Sequence, residues 1–113
     1  LLAGEGKADS ALIFLEKFVS EQPENFSGHQ FLAEIYFGRN DLSRTEEELR
    51  KAIDFHPTDF FVYQQLGQVY MALNEKTGED IYTSKAIEAW ERSVELCPEN
   101  LDLAAQLREL RGY

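Results

Sequence analysis

The chain has 113 residues, 43% of them hydrophobic, with eight Phe, five Tyr and one Trp, a length and an apolar share that suit one folded domain and speak against disorder. Its 21 acidic and 11 basic residues leave a net charge of −10. That balance argues against nucleic acid as a partner, because phosphates need clustered Lys and Arg, and against anionic lipid; a neutral or basic protein partner is easier to accept.

Taken in chain order, the first predicted helix spans 8–21 and ends just before Pro23. A second, 26–38, opens behind Asn25 and carries His29, Leu32, Ala33 and Tyr36 at i, i+3, i+4, i+7, the spacing of one helix face. A third, 42–55, follows Asp41 and repeats the step with Leu49, Ala52 and Ile53. The fourth, 60–74, opens behind Asp59 with Tyr63, Leu66, Gly67 and Tyr70 on its stripe. A turn at Lys76–Asp80 leads to the fifth, 82–96, with Trp90, Ser93, Val94 and Cys97, and Asn100 starts the last, 101–112. Asn25, Asp41, Asp59 and Asn100 are predicted N-caps, since each side chain can accept a bond from an orphan N–H. Pro23, Pro57 and Pro98 each lie where a helix must stop.

The prolines are spaced 34 and 41 residues apart, and Leu32-Ala33-x-x-Tyr36 lies 34 residues before Leu66-Gly67-x-x-Tyr70. Such self-similarity is the signature of a repeat architecture. The matching residues are Tyr63, Leu66, Gly67, Tyr70, Ala86, Trp90 and Pro98 in one copy, and Leu32, Ala33, Tyr36, Leu49, Ala52 and Pro57 in another. Gly6-Lys7, Ala11, Leu15 and Pro23 mark the end of a third. On these residues the chain resembles the tetratricopeptide repeat (TPR) family, with His29 at the bulky position and Thr45 at the small one as departures. The resemblance implies an all-α fold, a right-handed α-solenoid of antiparallel helical hairpins with about 2.5 repeats plus a C-terminal capping helix. The expected organisation of the single domain is a partial repeat at 1–25, a repeat at 26–59, a repeat at 60–100 with a seven-residue insertion near 75–81, and a capping helix at 101–113. Small residues have a packing reason here. Gly67 and Ala33 are expected where paired helices approach most closely, Ala52 and Ala86 where neighbouring helices meet, and Trp90 fills the space between helices.

Little in the chain points to chemistry. His29 and His56 are 27 residues apart, too far for the paired spacing of a zinc site; His29 reads as a half-buried packing residue and His56 as a turn residue. Cys97, the one cysteine, excludes an internal disulfide and reads as a small buried hydrophobe. Glu46-Glu47-Glu48 reads as a solvated helix face, with Glu46–Arg50 and Glu47–Lys51 at supportive spacing. No Gly-rich phosphate loop and no G-x-S-x-G occurs. The expectation is therefore no enzyme, no cofactor and no metal.

The resemblance implies that the first helix of each pair lines a concave groove for an extended peptide. By position the partner-binding residues are Gln30, Glu34 and Phe37 from one repeat, with Ser27 beside them, and Phe61, Gln64, Gln68 and Met71 from the next; the closing helix adds Asp102, Gln106 and Glu109. Some family members grip chaperone tail carboxylates with Lys, Asn and Arg; the matching positions here are Gln30, Glu34, Gln64 and Gln68, so that clamp is missing. The insertion, with Ile81 and Tyr82, is either a partner contact or a tolerated surface loop. The alternative function is a structural one, the C-terminal part of a longer array that self-associates or supports a larger assembly. Leu1-Leu2 match the last turn of a preceding helix, so homo-oligomerisation through an open N-terminal end is part of that expectation. A cytoplasmic location is expected.

Overall fold

The computed structural model describes residues 2–112, with side chains for 9–112. Expectations resting on Leu1, and on the side chains of Leu2, Gly6 and Lys7, lie outside the described residues. Six helices and no strand occur among the described residues. They group into two compact units, Leu1–His56 and Pro57–Tyr113, so the unit boundary falls on the His56–Pro57 joint.

The first unit holds α1 (Leu2–Glu21), α2 (Phe26–Gly38) and α3 (Leu42–Phe55). The predicted break before residue 8 is corrected: α1 is continuous from Leu2. Glycines at 4 and 6 each cost about 1 kcal/mol against Ala in a helix interior, which weakens a helix without ending it, and no proline interrupts. Asn25 caps α2 by accepting from the Gly28 N–H at 2.9 Å, and Asp41 caps α3 through the Arg44 N–H at 3.3 Å. Asn40 supplies the left-handed backbone (φ 61°) that turns α2 into α3. Contacts pair His29 with Glu48 near one end and place Arg44 over the Tyr36 ring near the other, so α2 and α3 run antiparallel. Leu32, Ala33, Tyr36, Leu42, Leu49 and Ala52 form the buried side of this hairpin. α1 closes on α2 at Gly28, where a Cβ would stand 3.0 Å from Val19 and 3.2 Å from Phe18.

Two further sequence expectations change in this unit. His29 is not half-buried but fully buried, at 2% exposure, with Nδ1 2.7 Å from Glu48 Oε1 and Nε2 2.7 Å from the Pro23 carbonyl. Glu48 is correspondingly buried rather than solvated, because an interior imidazole must find polar partners. Glu46 and Glu47 stay on the outer face and bond Arg50 and Lys51 at 3.1 and 3.7 Å. Thr45 is buried with its hydroxyl donating to the Asp41 carbonyl at 2.8 Å, which lets a polar residue occupy the small position.

The second unit holds α4 (Phe60–Thr77), α5 (Ile81–Leu96) and α6 (Leu101–Arg111). Asp59 accepts from the Phe61 and Val62 N–H groups, and Asn100 from Leu103. The insertion lengthens α4 to Thr77 and starts α5 at Ile81; Gly78, with φ +73°, ends α4 in the left-handed conformation that favours glycine. Ser93 donates to the Phe60 carbonyl at 2.9 Å, Trp90 Nε1 to the Gln64 carbonyl at 3.0 Å, and Tyr82 stacks on Tyr70. These pairings run in opposite directions along the two helices, so α4 and α5 are antiparallel. Trp90 then packs with Leu103 and Leu107 of α6, and Arg111 pairs with Glu91. Cys97 is a correction: it stands at the C-cap of α5, partly exposed, 3.5 Å from a Glu99 oxygen. A cap position cannot face inward as a mid-helix stripe residue does.

Candidate functional site

The seven residues expected to contact a partner fall on α2 and α4. In the first unit, Gln30 is half-buried and Glu34 and Phe37 are exposed, following one another along one face of α2. In the second, Phe61 is exposed, Gln64 half-buried, Gln68 exposed and Met71 half-buried. Spacings of three and four residues put those four on one stripe of α4.

That stripe borders an open depression between α4 and α6, with a volume of about 340 Å³. Gln64, Gln68, Met71 and Glu75 line it from α4, Trp90 from α5, and Leu103 and Gln106 from α6. A second open depression of about 370 Å³ shares Met71, Trp90 and Gln106 and extends to Glu109 and Leu110. The structure thus brings Gln64, Gln68 and Met71 together, with Phe61 a turn away along the stripe and outside the depression. Trp90, Glu75 and Leu103 were not read from sequence as lining this surface. Glu75 was findable, since it continues the 64–68–71 stripe by one turn. Trp90 was not: its apolar stripe announces burial alone, and its shared position beneath Met71 depends on where α6 lands.

The floor is apolar, made by Met71 packed on the Trp90, Leu103 and Leu107 cluster. Trp90 is 7% exposed and its N–H is already committed to the Gln64 carbonyl, so it presents ring surface rather than a donor. The Gln64 amide oxygen accepts from Asn100 Nδ2 at 3.4 Å, which holds that side chain at the edge of the depression. Gln68 and Gln106 have no side-chain hydrogen-bond partner among the described residues. The charged groups of the lining are the carboxylates Glu75 and Glu109, and no Lys or Arg is among them. A floor of ring and thioether, two uncommitted amides and a carboxylate rim can hold a side chain and bond a backbone; it offers no nucleophile–base pair.

Elsewhere, His29 is spent on Glu48 and Pro23, and His56 caps α3 with its ring edge-on to Phe26. No group of three or more His, Cys, Asp or Glu among the described residues could hold a metal ion, and no described helix is long and apolar enough to cross a membrane. Of the insertion residues, Ile81 is 55% exposed, while Tyr82 packs on Tyr70 with Lys85 above both rings.

No family model and no curated protein matches the chain in sequence. Solved structures match it in fold. The first TPR of Spaghetti (RPAP3), bound to the HSP90 peptide SRMEEVD, is 23% identical with a TM-score of 0.78, over 96% of this chain and 80% of that one. The first TPR domain of human RPAP3, solved by NMR, is 23% identical with a TM-score of 0.76 over 96% of this chain and 80% of that one. MamA is 21% identical with a TM-score of 0.79 over 96% of this chain, which spans 59% of that structure.

Proposed function

We propose that this chain, whose all-α fold is that of tetratricopeptide-repeat domains, is a non-catalytic protein-interaction module that seats an extended peptide segment on the α4–α6 depression. One observation carries the reading: among the described residues the amides of Gln68 and Gln106 stand without partners, beside an apolar floor of Met71 and Trp90. A primary amide both donates and accepts, the pair of bonds that an extended peptide backbone offers. The floor takes an apolar side chain of the same segment. The depression is too open to enclose a small molecule, and the reading needs no cofactor. Phe61, 44% exposed, extends the contact along α4, and Gln30, Glu34 and Phe37 give the first unit a peptide-facing surface of its own.

The RPAP3 domain bound to SRMEEVD supplies a precedent for peptide binding on this fold. A segment with that peptide's three acidic side chains does not suit this lining, which holds Glu75 and Glu109 and no cation. A neutral or basic protein segment is the expected partner. A cytoplasmic setting suits a chain with one half-buried thiol and no second cysteine.

The test uses random peptides displayed on phage, selected on the chain and counter-selected on a Gln68→Ala/Gln106→Ala variant. Binders that alter the fluorescence of Trp90, the single tryptophan, and are lost in the variant support the reading. Selected peptides that leave Trp90 unchanged and bind both proteins equally overturn it.

A second reading, self-association, is favoured by Ile13 and Phe14, adjacent on α1 and 69% and 65% exposed. Single apolar side chains on a surface are ordinary, but a contiguous pair marks a contact candidate. Leu12 and Leu15 beside them are half-buried. Light scattering of wild type and Ile13→Glu/Phe14→Glu tests this: a mass that falls to monomer in the variant supports it, and a monomeric wild type at high concentration removes it.

A further inference from the structure

We infer that the segment seated on the α4–α6 depression carries Lys or Arg next to its apolar anchor. This rests on the proposed peptide-binding reading and goes further by assigning the charge of the ligand. The argument is one of complementarity. Glu75 leaves the upper end of the α4 stripe and Glu109 leaves α6, and both are exposed. Among the described residues neither takes part in an ion pair; those found in the second unit are Arg92–Glu95 and Arg111–Glu91. Of the five cations of this unit, Arg92 lies over the Tyr63 ring, Lys85 over Tyr70 and Tyr82, and Arg111 on Glu91; Lys76 and Arg108, next in sequence to Glu75 and Glu109, make no ion pair among the described residues and do not line the depressions. Met71 and Trp90 are shared by the depression that Glu75 lines and the one that Glu109 lines, and they take the apolar side chain. An apolar residue flanked by cations satisfies all three features at once, whereas an acidic segment meets repulsion at both carboxylates.

The probes are three short acetylated and amidated peptides in which leucine alternates with lysine, with glutamine or with glutamate, titrated against the full chain with Trp90 fluorescence as readout. The lysine peptide is expected to bind about tenfold tighter than the glutamine peptide, which is what two exposed ion pairs supply. The glutamate peptide is expected to bind weakest. Because the whole chain is acidic, the deciding comparison is Glu75→Gln/Glu109→Gln, two exposed positions at which the fold should be unaffected. In that variant the lysine-to-glutamine ratio should drop to about twofold or less. A ratio unchanged in the variant overturns the inference, since the attraction would then belong to the overall charge. Equal binding of lysine and glutamine peptides by wild type, each moving Trp90, also overturns it and leaves the peptide-binding reading standing. If none of the three moves Trp90, the peptide-binding reading itself fails.

Discussion

The indole of Trp90 occupies the space that any side chain at position 67 would need: a Cβ built on Gly67 collides with Nε1, Cδ1 and Cε2 of the ring. The ring cannot retreat easily, because its N–H is bonded to the Gln64 carbonyl and its other side packs on Leu103 and Leu107. Gly67→Ala should therefore destabilise the chain by about 2 kcal/mol, overpacking outweighing a helix-propensity gain of about 1 kcal/mol. In a Trp90→Leu background the same change should become neutral or stabilising. Urea unfolding of the four proteins in this cycle checks the sign reversal.

The His29–Glu48 contact predicts a different non-additivity. The Pro23 carbonyl can only accept, so Nε2–H donates to it, and a proton lies between Nδ1 and the Glu48 carboxyl oxygen. Glu48→Leu strands a buried ring nitrogen and should cost about 1–3 kcal/mol. Adding His29→Phe removes the stranded group and should recover most of that loss, even though Pro23 loses its donor. Chemical denaturation of both variants decides it; a double variant no better than the single would mean that the pair is not what holds α2 to α3 here.

The helix caps separate by whether they make a bond. Asn25 and Asp59 accept from backbone N–H groups at 2.9 Å, while Asp80 makes no side-chain cap bond at α5. Asn25→Ala and Asp59→Ala should each lower stability by about 1 kcal/mol. Asp80→Ala should stay within about 0.5 kcal/mol of wild type. Thermal melts of the three single variants are sufficient.

Burial and, after it, the Glu16 carboxylate raise the Tyr36 phenol above its ordinary range, against the opposing pull of Arg44. A group whose pKa is higher folded than unfolded contributes stability at low pH and loses it as pH climbs through the folded value. The contribution is thus intact at neutral pH and declines above about pH 10, where the unfolded chain's phenol ionises first. Tyr36→Phe should show a shallower alkaline loss of stability than wild type. Denaturation midpoints at neutral pH and on either side of pH 10 measure the difference.

Helix number and helix junctions were readable because they rest on local chemistry. Asn25, Asp41, Asp59 and Asn100 each cap within three residues of themselves, and Pro23, Pro57 and Pro98 stop helices by their own covalent structure. Gly67 opposite Trp90 was half legible, since a glycine on an apolar stripe announces a close approach but does not name the intruder. Glu48 was misread because its partner is 19 residues away, and a carboxylate within an acidic run looks solvated until the neighbouring helix is placed. Cys97 looked internal because periodicity extends smoothly past the point where the helix stops. In the candidate site, the α4 stripe was visible as off-core positions, whereas Trp90 and Leu103 entered it through the way α6 lies on α5.

Ser93 and Trp90 reach from α5 to two carbonyls of α4, those of Phe60 and Gln64, and these acceptors are one helical turn apart. Sliding α5 along α4 by any fraction of a turn breaks both bonds together and drives the indole past Gly67, so shear is closed to this hairpin. α6 is tethered differently, through the side chains of Leu103 and Leu107 on Trp90, the Asn100 amide and the Arg111 guanidinium. The α4 wall of the depression is therefore tied to α5 through its own backbone, whereas the α6 wall is held by side-chain contacts alone, and the width of the opening follows the orientation of α6.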